Sequence, residues 1–273
     1  MNLVAEFVRR LVHEDWDSSD ALLRLKADLP HRLVGGTRFF SQARLFLAAL
    51  ADQDGLALTA SGALNRASVV HLCSVMEWPR ETMESLKEIK SKRFNELDVF
   101  PLELIRVTCL VAGLARRRGR VLNATKKARS LLAETRSGEL YRRLFVTMFS
   151  HLNYEYVTEH AAGPLIQESI GYILWQARSI LTEWVNVEEL PGPLLLRPVA
   201  NAIRVNPYYD EASWTIYSGV IEPLEWFGLV ECQPDGKDPD VGIGQYRKTP
   251  LFDRFIGFDL ASLLPGNARP ELN

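Results

Sequence analysis

Apolar residues along this chain recur mainly three and four positions apart, and short alternating stretches bounded by glycine interrupt that rhythm. Leu3, Val4, Phe7, Val8 and Leu11 predict an amphipathic helix over 1–12, with Arg9 and Arg10 on its other side. A second helix is predicted over 19–29, where Asp17 or Ser18 can cap its start and Pro30 stops it. Gly35 and Gly36 then break the chain. From Ser41, the spacing of Ala43, Phe46, Leu47 and Leu50 gives one apolar helix face that ends by Gly55. Leu56 and Leu58 alternate around Ala57 like a very short strand, Thr59 can cap a turn, and Gly62 marks a bend before helices at 65–76 and 80–92.

The same order of helix, turn, short strand, threonine and helix recurs over 101–132. Pro101 suits a first helical turn, and Leu104, Ile105, Thr108, Leu110 and Val111 supply an apolar side. Arg116 to Gly119 read as a turn, residues 120–123 as a strand, and 125–132 as the next helix. A third version spans 213–258. There a strand over 229–233 and a returning strand over 245–249 flank a tip crowded with Pro, Gly and Asp. Two strongly apolar helices, 137–152 and 164–181, lie between these versions, and the three prolines of 188–198 suggest a linker. The expected architecture is mainly α, helices with short β-hairpins in tandem units. Its segments are N-terminal helices over 1–40, two degenerate helix-hairpin units with core helices over 41–187, a C-terminal helix-hairpin domain over 188–263, and a tail over 264–273.

Composition narrows this picture in one direction. Apolar residues make up 47% of the 273 positions and charged residues 24%, enough for a sizeable core and unlike a disordered chain. No apolar stretch approaches the roughly 20 residues that cross a bilayer, and Glu6, Arg9 and Arg10 interrupt what would be a secretory signal's apolar core. A cytoplasmic location is expected. Cys73, Cys109 and Cys232 are widely spaced in apolar sequence, so neither a disulfide framework nor a thiolate metal site is implied.

The third version, with Gly228, Leu229 and Val230 after its helix, the tip at 234–244, and Tyr246, Lys248 and Thr249 on its second strand, resembles the winged-helix family. Residues 55–62 and 119–126 look like shortened copies of it. A weaker similarity is to uncharacterised bacterial proteins, some plasmid-encoded, that pair such units with other domains. The resemblance implies a helix that enters the DNA major groove and a wing that touches the backbone. The helix over 213–227 departs from that role: Glu222 and Glu225 repel phosphate, and the helix holds no Lys or Arg. Its Trp214, Tyr217, Trp226 and Phe227 suit burial or a protein partner.

Net charge is only −2, but its distribution is uneven. Between residues 104 and 150 there are 11 basic and two acidic residues, a net of +9, which leaves about −11 for the remainder. Seven of those cations, Arg116, Arg117, Arg118, Arg120, Lys126, Lys127 and Arg129, crowd the second unit where a wing would reach phosphates. Catalytic patterns are missing. His13, His31, His71, His151 and His160 are scattered, the glycines of 241–246 precede no helix, and Ser61 matches no nucleophile elbow. No cofactor, small-molecule substrate or enzyme activity is expected. Two readings stay open: a DNA-associated regulator or accessory protein, alone or as a homodimer, that uses the seven cations on double-stranded DNA, or a protein-interaction module that uses the aromatic helix to bind another protein or a second copy of the chain.

Overall fold

A computed structural model describes residues 3–52, 55–76, 95–158, 160–203, 211–234 and 244–263. The chain is mainly helical with small antiparallel sheets. Helix α1 (Leu3–His13) is followed by strand β1 (Leu23–Leu25), the one-turn helix α2 (His31–Val34), α3 (Arg38–Asp52), β2 (Leu56–Ala57) and α4 (Arg66–Val75). A 3-10 turn at Glu96–Asp98 precedes α5 (Phe100–Val111), the hairpin β3 (Ala115–Arg118) and β4 (Val121–Ala124), α6 (Lys126–Leu131) and α7 (Ser137–Val146), which continues as a π-turn over Thr147–His151. Next come α8 (Tyr154–Thr158), α9 (Gly163–Glu168), α10 (Ile170–Ile180), β5 (Val185–Asn186), α11 (Pro191–Leu194) and α12 (Arg197–Ala202). Helices α13 (Glu211–Ile216) and α14 (Glu222–Trp226) flank a π-turn over Tyr217–Ile221, and the hairpin β6 (Val230–Pro234) and β7 (Gly244–Lys248) leads into α15 (Pro250–Phe255) and β8 (Ile256–Phe258).

Two compact units result, one formed by Asp28–His151 and the other by Met1–Ala27 with Leu152–Asn273. The boundaries therefore differ from those expected after residues 40 and 187. The N-terminal segment joins the C-terminal half because β1 pairs antiparallel with β8, Leu23 opposite Phe258 and Leu25 opposite Ile256. This pairing also replaces the helix predicted over 19–29. The Glu14 carboxylate accepts from the backbone N–H groups of Leu22 and Leu23, both at 2.7 Å, and so holds the entry to β1 extended.

Within Asp28–His151, α3 buries Phe39, Phe40, Ala43, Phe46, Leu47 and Leu50, and Phe40 meets Tyr141 of α7 edge-on at 5.9 Å. Helix α5 buries Leu102, Leu104, Ile105, Thr108 and Cys109. Its last turn differs from expectation, since Val111 is 47% exposed. The strand near Leu56 does not start a hairpin unit of its own. It pairs with β4, Leu56 opposite Leu122, to give a sheet ordered β2-β4-β3. Two of the expected helix-hairpin units are thus one.

The other unit repeats this plan. Strand β5 pairs with β7 and the sheet order is β5-β7-β6. The proline-containing stretch 188–198 is packed rather than a free linker, because Leu190 and Leu194 are fully buried. Helix α10 lies on α1 at Gly171, where a Cβ would overlap the Leu11 carbonyl. Trp175 is held edge-on between Phe7 and Phe258, 5.0 Å from each. The helix predicted over 80–92, the hairpin tip at 235–243 and the tail at 264–273 lie outside the described residues.

Candidate nucleic-acid interface

The arginine-rich hairpin begins where α5 stops. Gly113 adopts φ +68°, a conformation costly for other residues. It closes the helix with two bonds, its own N–H to the Leu110 carbonyl at 3.0 Å and the Leu114 N–H to the Cys109 carbonyl at 2.9 Å. The chain then enters β3, whose partners in β4 run from Ala115 opposite Ala124 to Arg118 opposite Val121. Arg116, Arg117 and Arg118 therefore lie on a strand, not in the turn expected for them. The turn is the two residues Gly119 and Arg120, with Gly119 at φ +60°, the sign that two-residue hairpin turns need at their first position. Thr125 ends the hairpin and caps α6, its hydroxyl accepting from the Ala128 N–H at 3.2 Å and donating to the Gly113 carbonyl at 3.0 Å.

Strand alternation splits the arginines. Arg116 and Arg118 stand on the face opposite buried Leu122, while Arg117 shares the side of Ala115 and reaches over Gly62. All seven cations are exposed. Arg117 donates through Nε to the Gly119 carbonyl at 2.8 Å, and Arg129 donates to the Ala51 carbonyl at 2.8 Å. Among the described residues, none of the seven forms an ion pair with a carboxylate, although Lys127 is near enough to Glu139 to help, after Arg136, to hold its carboxyl below the usual range. The other four basic residues of the +9 segment differ. Arg106 is held by Glu96 and Glu103, Arg136 by Glu139 at 2.6 Å, and Arg143 donates to the Ala112 carbonyl at 2.6 Å. Arg142 also has a partner. The local excess is thus carried by the hairpin and the start of α6.

Part of this charge has a purely structural use. Strand β3 is the open edge of its sheet, and charged side chains on an edge prevent pairing with foreign strands. That need ends with β3, whereas the cations continue through the turn to Lys126 and Lys127. These two occupy the first turn of α6, which has no acidic residue; there the helix dipole disfavours each by about 0.3–1 kcal/mol.

The aromatic candidates separate on burial. Trp214 is 46% exposed and lies 5.7 Å from the Tyr217 ring. Tyr217 and Trp226 are half-buried. Phe227 is fully buried and belongs to the core, which corrects its place among the partner-binding candidates and leaves the alternative reading, burial. It follows Trp226 at the end of a helix whose apolar side faces inward, and sequence spacing does not separate the two. Burial first, then Glu222 and Glu225, push the Tyr217 hydroxyl far above its ordinary value. The hairpin of this unit has its cations matched. Arg247 pairs with Glu231 at 2.7 Å and lies 4.6 Å over the Trp184 ring, and Lys248 pairs with Asp253 at 2.8 Å.

One polar cluster has no local sequence signal. His31 Nδ1 lies 3.0 Å from the Ser137 hydroxyl and accepts from Arg44 at 2.9 Å, while Arg44 also donates to the Leu132 carbonyl at 3.0 Å. The two residues are 106 positions apart, so only folding joins them. Ser137 is 1% exposed, which makes the cluster a tie between α2, α3 and α7 rather than a nucleophile offered to substrate. Among the described residues no group of three His, Cys, Asp or Glu is placed to hold a metal ion. No described helix is long and apolar enough to cross a membrane.

A family described as the Y4jL N-terminal domain matches residues 36–139, a span that contains the whole arginine hairpin. Over 81 residues the chain is 42% identical to a protein named uncharacterized protein y4jL from Sinorhizobium fredii (strain NBRC 101917 / NGR234). The match covers 29% of this chain and 36% of that protein, so the chain spans about a third of the length of its relative. No solved structure matches the chain.

Proposed function

We propose that this protein is a non-enzymatic, DNA-associated regulator or accessory factor, located in the cytoplasm and needing no cofactor, that holds duplex phosphates with its basic hairpin. The observation that carries the reading is the set of seven exposed cations, Arg116, Arg117, Arg118, Arg120, Lys126, Lys127 and Arg129, none ion-paired with a carboxylate among the described residues. Each unit also contains a helix followed by a two-stranded hairpin, the pairing on which the winged-helix resemblance rests. Lys126 and Lys127 add support, since their place at the start of α6 opposes the helix dipole, a cost that a bound phosphate would offset.

Backbone contacts of this kind release counterions, so six or more would weaken binding by about a thousandfold or more between 50 and 200 mM salt. Fluorescence anisotropy with a mixed-sequence duplex tests the idea. Wild type is expected to bind at low salt with a steep salt dependence, and the variant Arg116→Glu, Arg117→Glu, Arg118→Glu, Arg120→Glu is expected to lose binding. Absence of binding at low salt, or binding unchanged in the variant, sinks the reading.

The exposure of Trp214 against Tyr217 favours a second reading, a protein-interaction or scaffolding module. Under it, Trp214→Ala weakens association with the partner or with a second copy, and leaves duplex binding unchanged.

A further inference from the structure

We infer that copies of this chain associate head to tail, with the arginine hairpin of one copy seated on the aromatic and acidic face around Trp214 of the next. The inference rests on the protein-interaction reading above, not on the duplex-binding one, and it names the occupant of that face.

The two surfaces are opposite in charge. Residues 113–131 hold seven basic residues and no acidic one, whereas residues 183–189 and 211–227 together hold six acidic residues and no Lys or Arg. The acidic set forms one neighbourhood, because the 3-10 turn Val187–Glu189 packs against α13 and leaves Glu188 and Glu189 exposed. Attraction between such patches directs the encounter and fixes its register.

Rings beside the carboxylates suit the face to a guanidinium. Trp214, 46% exposed, lies 5.7 Å from half-buried Tyr217, which lies 6.2 Å from buried Tyr246. An exposed ring backed by a packed stack loses little freedom on binding. Glu222 and Glu225 are near enough to the Tyr217 hydroxyl to hinder its ionisation. Arginine both stacks on an aromatic face and pairs with a carboxylate. The same unit already seats one arginine in this way, since Arg247 lies 4.6 Å over the Trp184 ring and pairs with Glu231 at 2.7 Å.

The hairpin supplies the matching groups. The side chains of Arg116, Arg118 and Arg120 are exposed and make no hydrogen bond or ion pair among the described residues, unlike Arg117 and Arg129. Arg116 and Arg118 share one face of the sheet. Because the two surfaces are different parts of the chain, the contact is heterologous, and the end copies of an open assembly each keep one surface unfilled. The contact uses the cations assigned above to phosphates, so a copy held in this way does not hold duplex through them.

Sedimentation velocity on the full chain at low salt, over a concentration series, tests this. Wild type is expected to grow beyond a monomer, and to return to a monomer as salt screens the contact. Arg116→Glu with Arg118→Glu, and separately Trp214→Ala, are each expected to weaken self-association at least about tenfold while circular dichroism stays as in wild type. Trp214→Gln replaces Trp214→Ala if the latter loses helix. An equimolar mixture of the two variants is expected to restore a complex that stops at two chains, since each supplies the surface the other lacks. Monomeric wild type at every concentration, or a mixture that stays monomeric, overturns the inference and leaves Trp214 to a different protein. Association unchanged by the Trp214 substitutions overturns the inference and the interaction reading together.

Discussion

The two helix-hairpin units share a scaffold and differ in what they put on it. In each, a glycine at φ +68° ends the long helix, Gly113 in one and Gly228 in the other. The next residue closes the helix with the same bond, Leu114 to Cys109 and Leu229 to Leu224, both 2.9 Å. A threonine one hairpin later returns to the same place, Thr125 bonding to Leu114 and Gly113, Thr249 to Leu229 and Gly228. Surfaces diverge at this point. One hairpin carries arginines without carboxylate partners among the described residues, and the other matches Arg247 with Glu231 and Lys248 with Asp253. The lesson is that backbone closure is set by a few glycine and threonine positions, while the exposed strand positions are free to take either charge.

The comparison can be broken or sharpened in several ways. The largest effect is expected in alkali, where both units lose their packing. Burial holds the Tyr141 and Tyr154 hydroxyls well above their ordinary value of 10.0. A raised value in the folded state means that this stabilisation is complete below pH 10.0 and is lost as pH rises beyond it. Phenolate absorbance should then appear together with loss of circular dichroism; ionisation without unfolding would show that these tyrosines are not sealed.

Next in size is the carboxylate at the start of each long helix. Glu96 is 1% exposed, accepts from the Leu64 N–H at 2.7 Å and pairs with Arg106. Glu96→Ala leaves the Leu64 N–H without its acceptor and Arg106 with Glu103 alone, and is expected to cost about 1–3 kcal/mol in urea unfolding. Its counterpart Glu211 accepts from His160 Nε2 at 2.6 Å, and His160 Nδ1 accepts in turn from the Ala162 N–H. With Nδ1 accepting, Nε2 is the donor, so Glu211→Gln keeps an acceptor for it and should cost under about 1 kcal/mol. Equal costs at the two sites would remove this contrast.

Shared closure predicts shared costs. Gly113→Ala and Gly228→Ala each force alanine into a left-handed conformation, for about 1–2 kcal/mol. Thr125→Val and Thr249→Val each lose a cap, for about 1 kcal/mol. Calorimetry on the four variants checks whether the pairs agree. The smallest effect belongs to Arg247→Glu, whose hairpin is outside the proposed interface: duplex binding should change less than about twofold, and stability by no more than about 1 kcal/mol, as for an exposed pair.

Several elements were legible because they depend on neighbours in sequence. The periodicity from Ser41 places α3, Gly228 and Leu229 place the start of β6, and the run from Arg116 to Arg129 places the charge excess. Elsewhere the tertiary partner decided. Leu23 and Leu25 fall in a stretch read as helix, and only pairing with Ile256 to Phe258 makes them strand. Leu56 and Ala57 look like the start of a separate hairpin until they are seen against Val121 and Leu122, 64 and 66 positions further on. The distinction between Phe227 and Trp226 is likewise one of packing, not spacing.

By itself the sequence determined the helical class, turn glycines such as Gly119 and Gly228, and the location of the positive charge, since each arises from residues a few positions apart through backbone sterics or simple count. Only the tertiary structure decided which strands share a sheet, which basic residues face a carboxylate and which face water. Those outcomes depend on distances between groups far apart along the chain, and burial and Coulomb energies act through space whatever the order of residues.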